Sequence, residues 1–260
     1  MRRAIPWLGL LLLTISFVWF VRLPVPMHPV NAPRPPSSRG EHRPVVVLDA
    51  GHGGRDSGAM CGTVQEKDLT LDVAQRTELL LRAAGYSTIL TRENDRYLSL
   101  AERAAVGNRE DHCLFVSIHF NDGERAGASG VETYYAVRQS TGPAGFLSWL
   151  PFVHQADKGS LLAARSESLA SCLQAALVDR TRAVDRGIKS EQFYVIARVR
   201  HPAALVEGGF ITNKADATKL ATTEYRQEIA TAISDGLQRY GEANRRGEPT
   251  LAVAAAARPE

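Results

Sequence analysis

Apolar and polar positions follow two rhythms along this chain. Short unbroken apolar runs, bounded by Gly, Pro, Asn or Asp, predict buried strands at Val45–Leu48, Ser87–Thr91, Cys113–Ile118, Val131–Ala136, Phe193–Ile196 and Ala203–Val206. Between them, apolar residues recur at three- and four-residue spacing, the period of a half-buried helix. Leu69, Val73, Thr77, Leu80 and Leu81 mark one helix from Glu66 to Ala84, ended by Gly85. A second runs from Ser99 to Asn108, with Ser99 and Glu102 at capping-box spacing. A third covers roughly Ser160 to Thr181. The last covers Thr223 to Tyr240, where Ile229, Ile233 and Leu237 recur four apart. Strands alternating with helices predict a layered α/β domain over residues 44–240.

Outside that domain the pattern changes. Arg2 and Arg3 precede an uncharged, strongly apolar run from Ala4 to Val21. At about 1.5 Å per residue the run spans roughly 27 Å, enough for a bilayer core. Residues 1–23 therefore read as an export signal, either cleaved as a signal peptide or kept as an anchor in the inner membrane. The basic end stays cytoplasmic, so the folded part lies outside that membrane. Residues 24–43 are Pro-rich without apolar period and form a semi-rigid linker. Residues 241–260 are charged, then Ala-rich, and are expected to be a disordered tail. The apolar, proline-bounded segment around Phe146–Val153 has three readings: a loop over a groove, a membrane-touching loop, or buried packing.

Composition excludes several classes. A net charge of +3 in 260 residues, without a basic stripe, argues against nucleic acid. Three cysteines, with no CxxC, build neither a zinc ribbon nor a disulfide framework. Cys113 and Cys172 sit in apolar patterns, whereas Cys61 falls in a loop.

The chemistry concentrates where predicted elements meet loops. His52 follows the first strand within the Gly-rich turn Gly51-His52-Gly53-Gly54, Glu66 opens the first helix, and His119 ends the third apolar run. Each has a plainer explanation alone: a polar loop residue, an acid at a helix N-terminus, a buried histidine. Together, an N, O, N ligand set that leaves one position open fits a catalytic zinc better than a structural one. Glu207 is delivered by the strand Ala203–Val206 to the same kind of edge, where a carboxylate would serve as general base or, more plainly, as a salt-bridge partner.

Six ordered blocks carry a resemblance. They are Asp49-Ala50-Gly51-His52-Gly53-Gly54-Arg55-Asp56-Ser57-Gly58-Ala59, Gln65-Glu66-Lys67-Asp68, Thr91-Arg92-Glu93-Asn94-Asp95, Ser117-Ile118-His119-Phe120-Asn121, Gly130-Val131-Glu132-Thr133-Tyr134-Tyr135 and Val206-Glu207-Gly208-Gly209-Phe210-Ile211-Thr212-Asn213. In order and spacing the chain resembles the zinc-dependent N-acetylmuramoyl-L-alanine amidases that cut bacterial peptidoglycan. The resemblance implies a mixed, roughly six-stranded sheet flanked by helices. It implies one Zn2+ held by His52, Glu66 and His119, with Glu207 as the catalytic carboxylate. The implied reaction is hydrolysis of the amide joining N-acetylmuramic acid to L-alanine of the stem peptide. A zinc peptidase acting on a stem-peptide bond and a silent wall-binding module are the rival readings. Some relatives carry an inserted helix that plugs the zinc site until a partner removes it; the Phe146–Val153 segment is the candidate for such a lid, with a protein activator as the matching partner.

Lesser expectations concern nearby polar groups. Arg92 and Asp95 are expected to pair and brace a loop, with substrate binding as the alternative, and Asn121 to fix the turn after His119. Arg103 and Asn108 either approach the ligand loops or are solvated, and His201 is a turn residue or a substrate contact. Phe120 is expected to narrow the groove, and Gly208-Gly209 to leave room for substrate.

Overall fold

The computed structural model describes residues 43–123, 127–138 and 156–246, with side chains from 159 onward in the last stretch. The export segment, the Pro-rich linker and the Phe146–Val153 segment therefore lie outside the described residues. In chain order the elements are β1 (Val45–Ala50), β2 (Met60–Cys61), β3 (Val64–Gln65), α1 (Glu66–Ala83), β4 (Thr88–Leu90), α2 (Leu100–Asn108) and β5 (Cys113–Asn121). They continue with β6 (Val131–Tyr135), α3 (Ala156–Thr181), β7 (Asp185–Ser190), α4 (Tyr194–Ala197), β8 (Ala203–Phe210), α5 (Lys214–Leu220) and α6 (Thr223–Arg246).

Six strands form one mixed sheet in the order β4-β1-β5-β8-β6-β7, and β2 pairs with β3 in a separate hairpin. Strands β4, β1, β5 and β8 are mutually parallel. β6 runs antiparallel to β8 and parallel to β7. The apolar runs are continuous because the central strands are covered on both faces. Successive side chains nevertheless face opposite ways, and the two faces are covered unequally.

One face carries Val46, Leu48, Leu114, Val116, Ile118 and Val206 against the long helices α1, α3 and α6. Leu69, Val73, Leu173, Ile229 and Ile233 supply much of the opposing surface. Each fully buried aliphatic side chain of this kind contributes about 1.5–3 kcal/mol. The other face carries Val47, Phe115, Ala203 and Leu205 against the much shorter α2 and α4. Helix α2 is fixed by the expected capping box: Ser99 Oγ accepts from the Glu102 amide and Glu102 Oε2 from the Ser99 amide. Such a cap is worth about 1 kcal/mol. Its energy matters here because the next residue, Arg103, is aimed at the loop after β1.

Some expectations are corrected. Phe193–Ile196 is not a strand; the short helix α4 occupies this stretch, with Val195 and Ile196 buried under the sheet and Phe193 exposed. An apolar run this short carries no decisive period. Strand β7 and helix α5 were not foreseen, the first because Asp185–Ser190 is a polar edge strand. Helix α6 continues to Arg246, past the expected end at Tyr240 and into the stretch read as disordered. Cys113 and Cys172 are buried as expected, and Cys61 is half-buried on β2. Among the described residues no helix is long and apolar enough to cross a membrane.

Candidate metal centre

The site lies where β1, β5 and β8 end, on the thinly covered face. His52 follows β1 with a left-handed backbone (φ 58°), a conformation that costs a non-glycine residue about 1 kcal/mol or more. Its carbonyl accepts from an Arg103 terminal nitrogen at 2.5 Å, which helps hold that backbone. Glu66 is the first residue of α1, where the helix dipole favours a carboxylate. The amide of Phe120 donates to Glu66 Oε1 (3.0 Å) and that of Ala59 to Oε2 (2.9 Å). His119 sits near the end of β5, with its ring packed over Gly51.

Three side chains from separate segments converge. His52 Nε2 lies 3.1 Å and His119 Nδ1 2.9 Å from Glu66 Oε1. The two imidazoles meet edge-on, centroids 4.9 Å apart and planes at 78°. One ligand atom from each residue lies within 4.8 Å of the others, a grouping able to hold a metal ion. Burial opposes the Glu66 charge, yet hydrogen bonds from His119 and His52 hold its carboxyl far below the usual range. Burial likewise opposes a charge on His52, but Glu66 and then Asp56 raise its basicity. His52 Nδ1 is 2.9 Å from Asp56 Oδ1, though without hydrogen-bond alignment.

Glu207 stands directly across from His119 in the β5–β8 register. Its Oε2 is shielded from solvent and has no hydrogen-bond partner among the described residues. Burial, followed by the charges of Glu66 and Glu132, pushes its carboxyl well above the ordinary value. The unpartnered Glu207 Oε2, on the strand next to His119 and within reach of the Glu66 charge, is a group that a nearby cation would stabilise. The residues present fit a divalent metal of zinc type, whose ligands are imidazole and carboxylate.

Behind this cluster lies a buried frame. Asp49 Oδ1 accepts from Arg103 (2.9 Å) and Thr91 Oγ1 (2.7 Å), and Oδ2 accepts from Ser117 Oγ (2.7 Å). Arg92, fully buried, donates to the carbonyls of Ala50, Gly51 and Lys67. The expected Arg92–Asp95 pair is thus corrected: both brace the loop, but through different partners. Asp95 accepts from the Gly54 amide and from Lys67 Nζ. Of the two helix residues, Arg103 reaches the ligand loop, whereas Asn108 donates to the Arg198 carbonyl.

Other expectations change too. Asn121 donates not to its own turn but to Glu132 Oε1 at 2.5 Å. Phe120 is buried in the main core and does not narrow a groove. A side chain at Gly208 would clash with Phe120, and Gly209 has a positive φ (147°) that favours glycine, so both have a structural reason beside the expected room for substrate. His201 precedes β8, at the strand end opposite Glu207. Glu132, register-paired with Glu207, was not singled out, although a lone acid in a buried strand was the available signal.

The structure thus presents a His/Glu/His cluster able to hold a metal ion at the carboxyl ends of the central strands of a mixed α/β sheet, with the Glu207 carboxylate on the neighbouring strand. The N-acetylmuramoyl-L-alanine amidase family matches residues 46–239, and the chain belongs to that family. N-acetylmuramoyl-L-alanine amidase LytC of Bacillus subtilis is 36% identical over 75% of this chain, which spans 35% of LytC. The catalytic domain of CwlV, an amidase of the same name from Bacillus (Paenibacillus) polymyxa var. colistinus, superposes with a TM-score of 0.64. It shares 30% identity, over 77% of this chain and 99% of that one. The CwlD amidase of Clostridioides difficile, solved in complex with the GerS lipoprotein, gives a TM-score of 0.64 at 26% identity, over 77% of this chain and 100% of that one.

Proposed function

We propose that the protein is a zinc-dependent amidase hydrolysing the bond between N-acetylmuramic acid and the L-alanine of the peptidoglycan stem peptide. The observation that carries this reading is the convergence of His52, Glu66 and His119 beside the unpartnered carboxylate of Glu207. Family membership supports the substrate class. His52, Glu66 and His119 would hold the ion, which when bound supplies Lewis acidity that polarises the amide carbonyl and acidifies water. Glu207 Oε2 takes a proton from the attacking water and returns one to the leaving amine. Burial of its side chain disfavours a lasting charge there, which suits a group that must both accept and donate. Glu66, hydrogen-bonded by two backbone amides, keeps its ligand oxygens in place as that proton moves.

Residues 1–23 act in this reading as the export signal or anchor and 24–43 as a spacer, carrying the domain at 44–240 to the wall outside the inner membrane. A protein activator is the remaining proposed partner; the complex of CwlD with GerS is the relative that motivates it. The test joins metal analysis to muropeptide hydrolysis. Purified protein should contain about one zinc per chain, lose turnover on chelation and regain it with zinc. Mass spectrometry should find intact stem peptides freed from sugar; cleaved stem peptides would mean a peptidase instead.

A further inference from the structure

One strand beyond Glu207 lies a charged group that the proposed reaction does not use. Glu132 on β6 is register-paired with Glu207 and therefore shares its sheet face. Its side chain is 2% exposed and accepts from four donors: Asn121 Nδ2 at 2.5 Å, the Tyr134 hydroxyl at 2.6 Å, Arg186 Nε at 2.8 Å and Lys189 Nζ at 2.5 Å. A carboxylate offers about four acceptor positions, so Glu132 is saturated. Arg186 and Lys189 both meet the same oxygen, Glu132 Oε2. Both cations reach the solvent side, their side chains 33% and 39% exposed. Arg186 meets Glu132 through Nε alone, and its two terminal nitrogens have no hydrogen-bond partner among the described residues. The guanidinium is held over the Phe210 ring at 4.8 Å, and Lys189 lies 5.6 Å from the Tyr134 ring centroid. A fork fixed in this way loses little entropy on binding.

We propose that Arg186 and Lys189 form a carboxylate-binding subsite for the peptide portion of the substrate. This rests on the amidase reading above. With Lys189 also on Glu132 Oε2, Arg186 presents an unengaged planar pair of N–H groups that matches a carboxylate bidentately. Position supplies the register. Strands lie about 4.8 Å apart, so the step from β8 across β6 to β7 is about 10 Å. An extended peptide covers that distance in about three residues. The ligand is thus an acidic side chain or a free C-terminal carboxylate about two or three residues beyond the scissile amide.

The experiment compares muropeptide-type substrates whose peptide carboxylates are free, amidated at the acidic side chain only, amidated at the C-terminus only, or fully amidated. The native chain should prefer the free-acid form in kcat/KM by about tenfold, and the singly amidated substrates locate the carboxylate responsible. In Arg186→Gln and Lys189→Gln that preference should collapse towards one, and Arg186→Lys should restore part of it. No preference in the native chain, or variants that lower every substrate by the same factor, would overturn the subsite. Thermal melts check that each variant folds. Calorimetric binding of the same peptides to Glu207→Gln protein repeats the comparison without turnover. Selective binding by a protein that never cleaves would sink the amidase reading and leave the subsite standing.

Discussion

Gly51 is the position where a single methyl group tests the metal centre. A Cβ built there would lie 2.3 Å from Cε1, 2.5 Å from Nε2 and 2.7 Å from Nδ1 of His119. Carbon atoms in contact sit about 3.5 Å apart, so the imidazole must withdraw by about 1 Å in Gly51→Ala. Metal–ligand distances tolerate only about 0.2 Å. A displacement several times that tolerance removes His119 from any shared coordination sphere and breaks its 2.9 Å contact with Glu66. The Gly51 backbone is outside the left-handed region, so alanine adds no conformational strain of its own. The expected result is a folded protein with at least tenfold weaker zinc affinity and turnover reduced on the order of a hundredfold. Competition against a chromophoric chelator measures the first, muropeptide hydrolysis the second, and circular dichroism the fold. A Gly51→Ala protein with native zinc affinity and native turnover would refute the assignment of His119.

Three further outcomes are expected. Glu207→Gln should lower turnover by about a hundredfold or more with metal content unchanged, and the metal-free variant should melt higher than its parent because a buried unpaired carboxylate is gone. Asp49→Ala leaves Arg103, 3% exposed, without its carboxylate; about 3–5 kcal/mol of stability should go, seen as a melting temperature lower by roughly 6–20 °C. Burial works against the Glu132 charge, but Lys189, Tyr134 and Arg186 hold its carboxyl below the ordinary 4.5. Its stabilisation is therefore full above about pH 4.5 and is lost as pH falls through the depressed value, so Glu132→Gln should show a shallower acid limb in urea melts across that window.

How much of this was legible depended on whether a residue's environment is set locally. Strands β1, β5 and β8 could be read because covering on both faces leaves continuous apolar runs, and the four site residues stood at the ends of those runs or of the helix that follows. The capping box of α2 was equally visible, since its two partners are three residues apart. Strand β7 was not, because an edge strand satisfies only one neighbour and tolerates Asp185, Arg186 and Lys189. Missing β7 hid the Glu132 network, whose cations come entirely from it. Arg92 could be seen as a brace but not assigned its partners. Its targets are backbone carbonyls, and backbone carbonyls leave no trace in a sequence.

The polar row on the α2–α4 face of the sheet carries its own partners. Helices α2 and α4, nine and four residues long, pack with Val47, Phe115, Ala203 and Leu205 on this face. Along the row His119–Glu207–Glu132 the register sets polar side chains next to one another, and each must find its own partner. His119 finds Glu66, and Glu132 finds Asn121, Tyr134, Arg186 and Lys189. Glu207 Oε2 alone finds none, at a cost of about 1–3 kcal/mol for a buried unpaired group. Rigid bracing by Asp49, Arg92 and Arg103 keeps the loop from collapsing to relieve that cost. In the proposed reaction that cost sits on the atom that would take up and give back a proton, and a bound cation and substrate would relieve it.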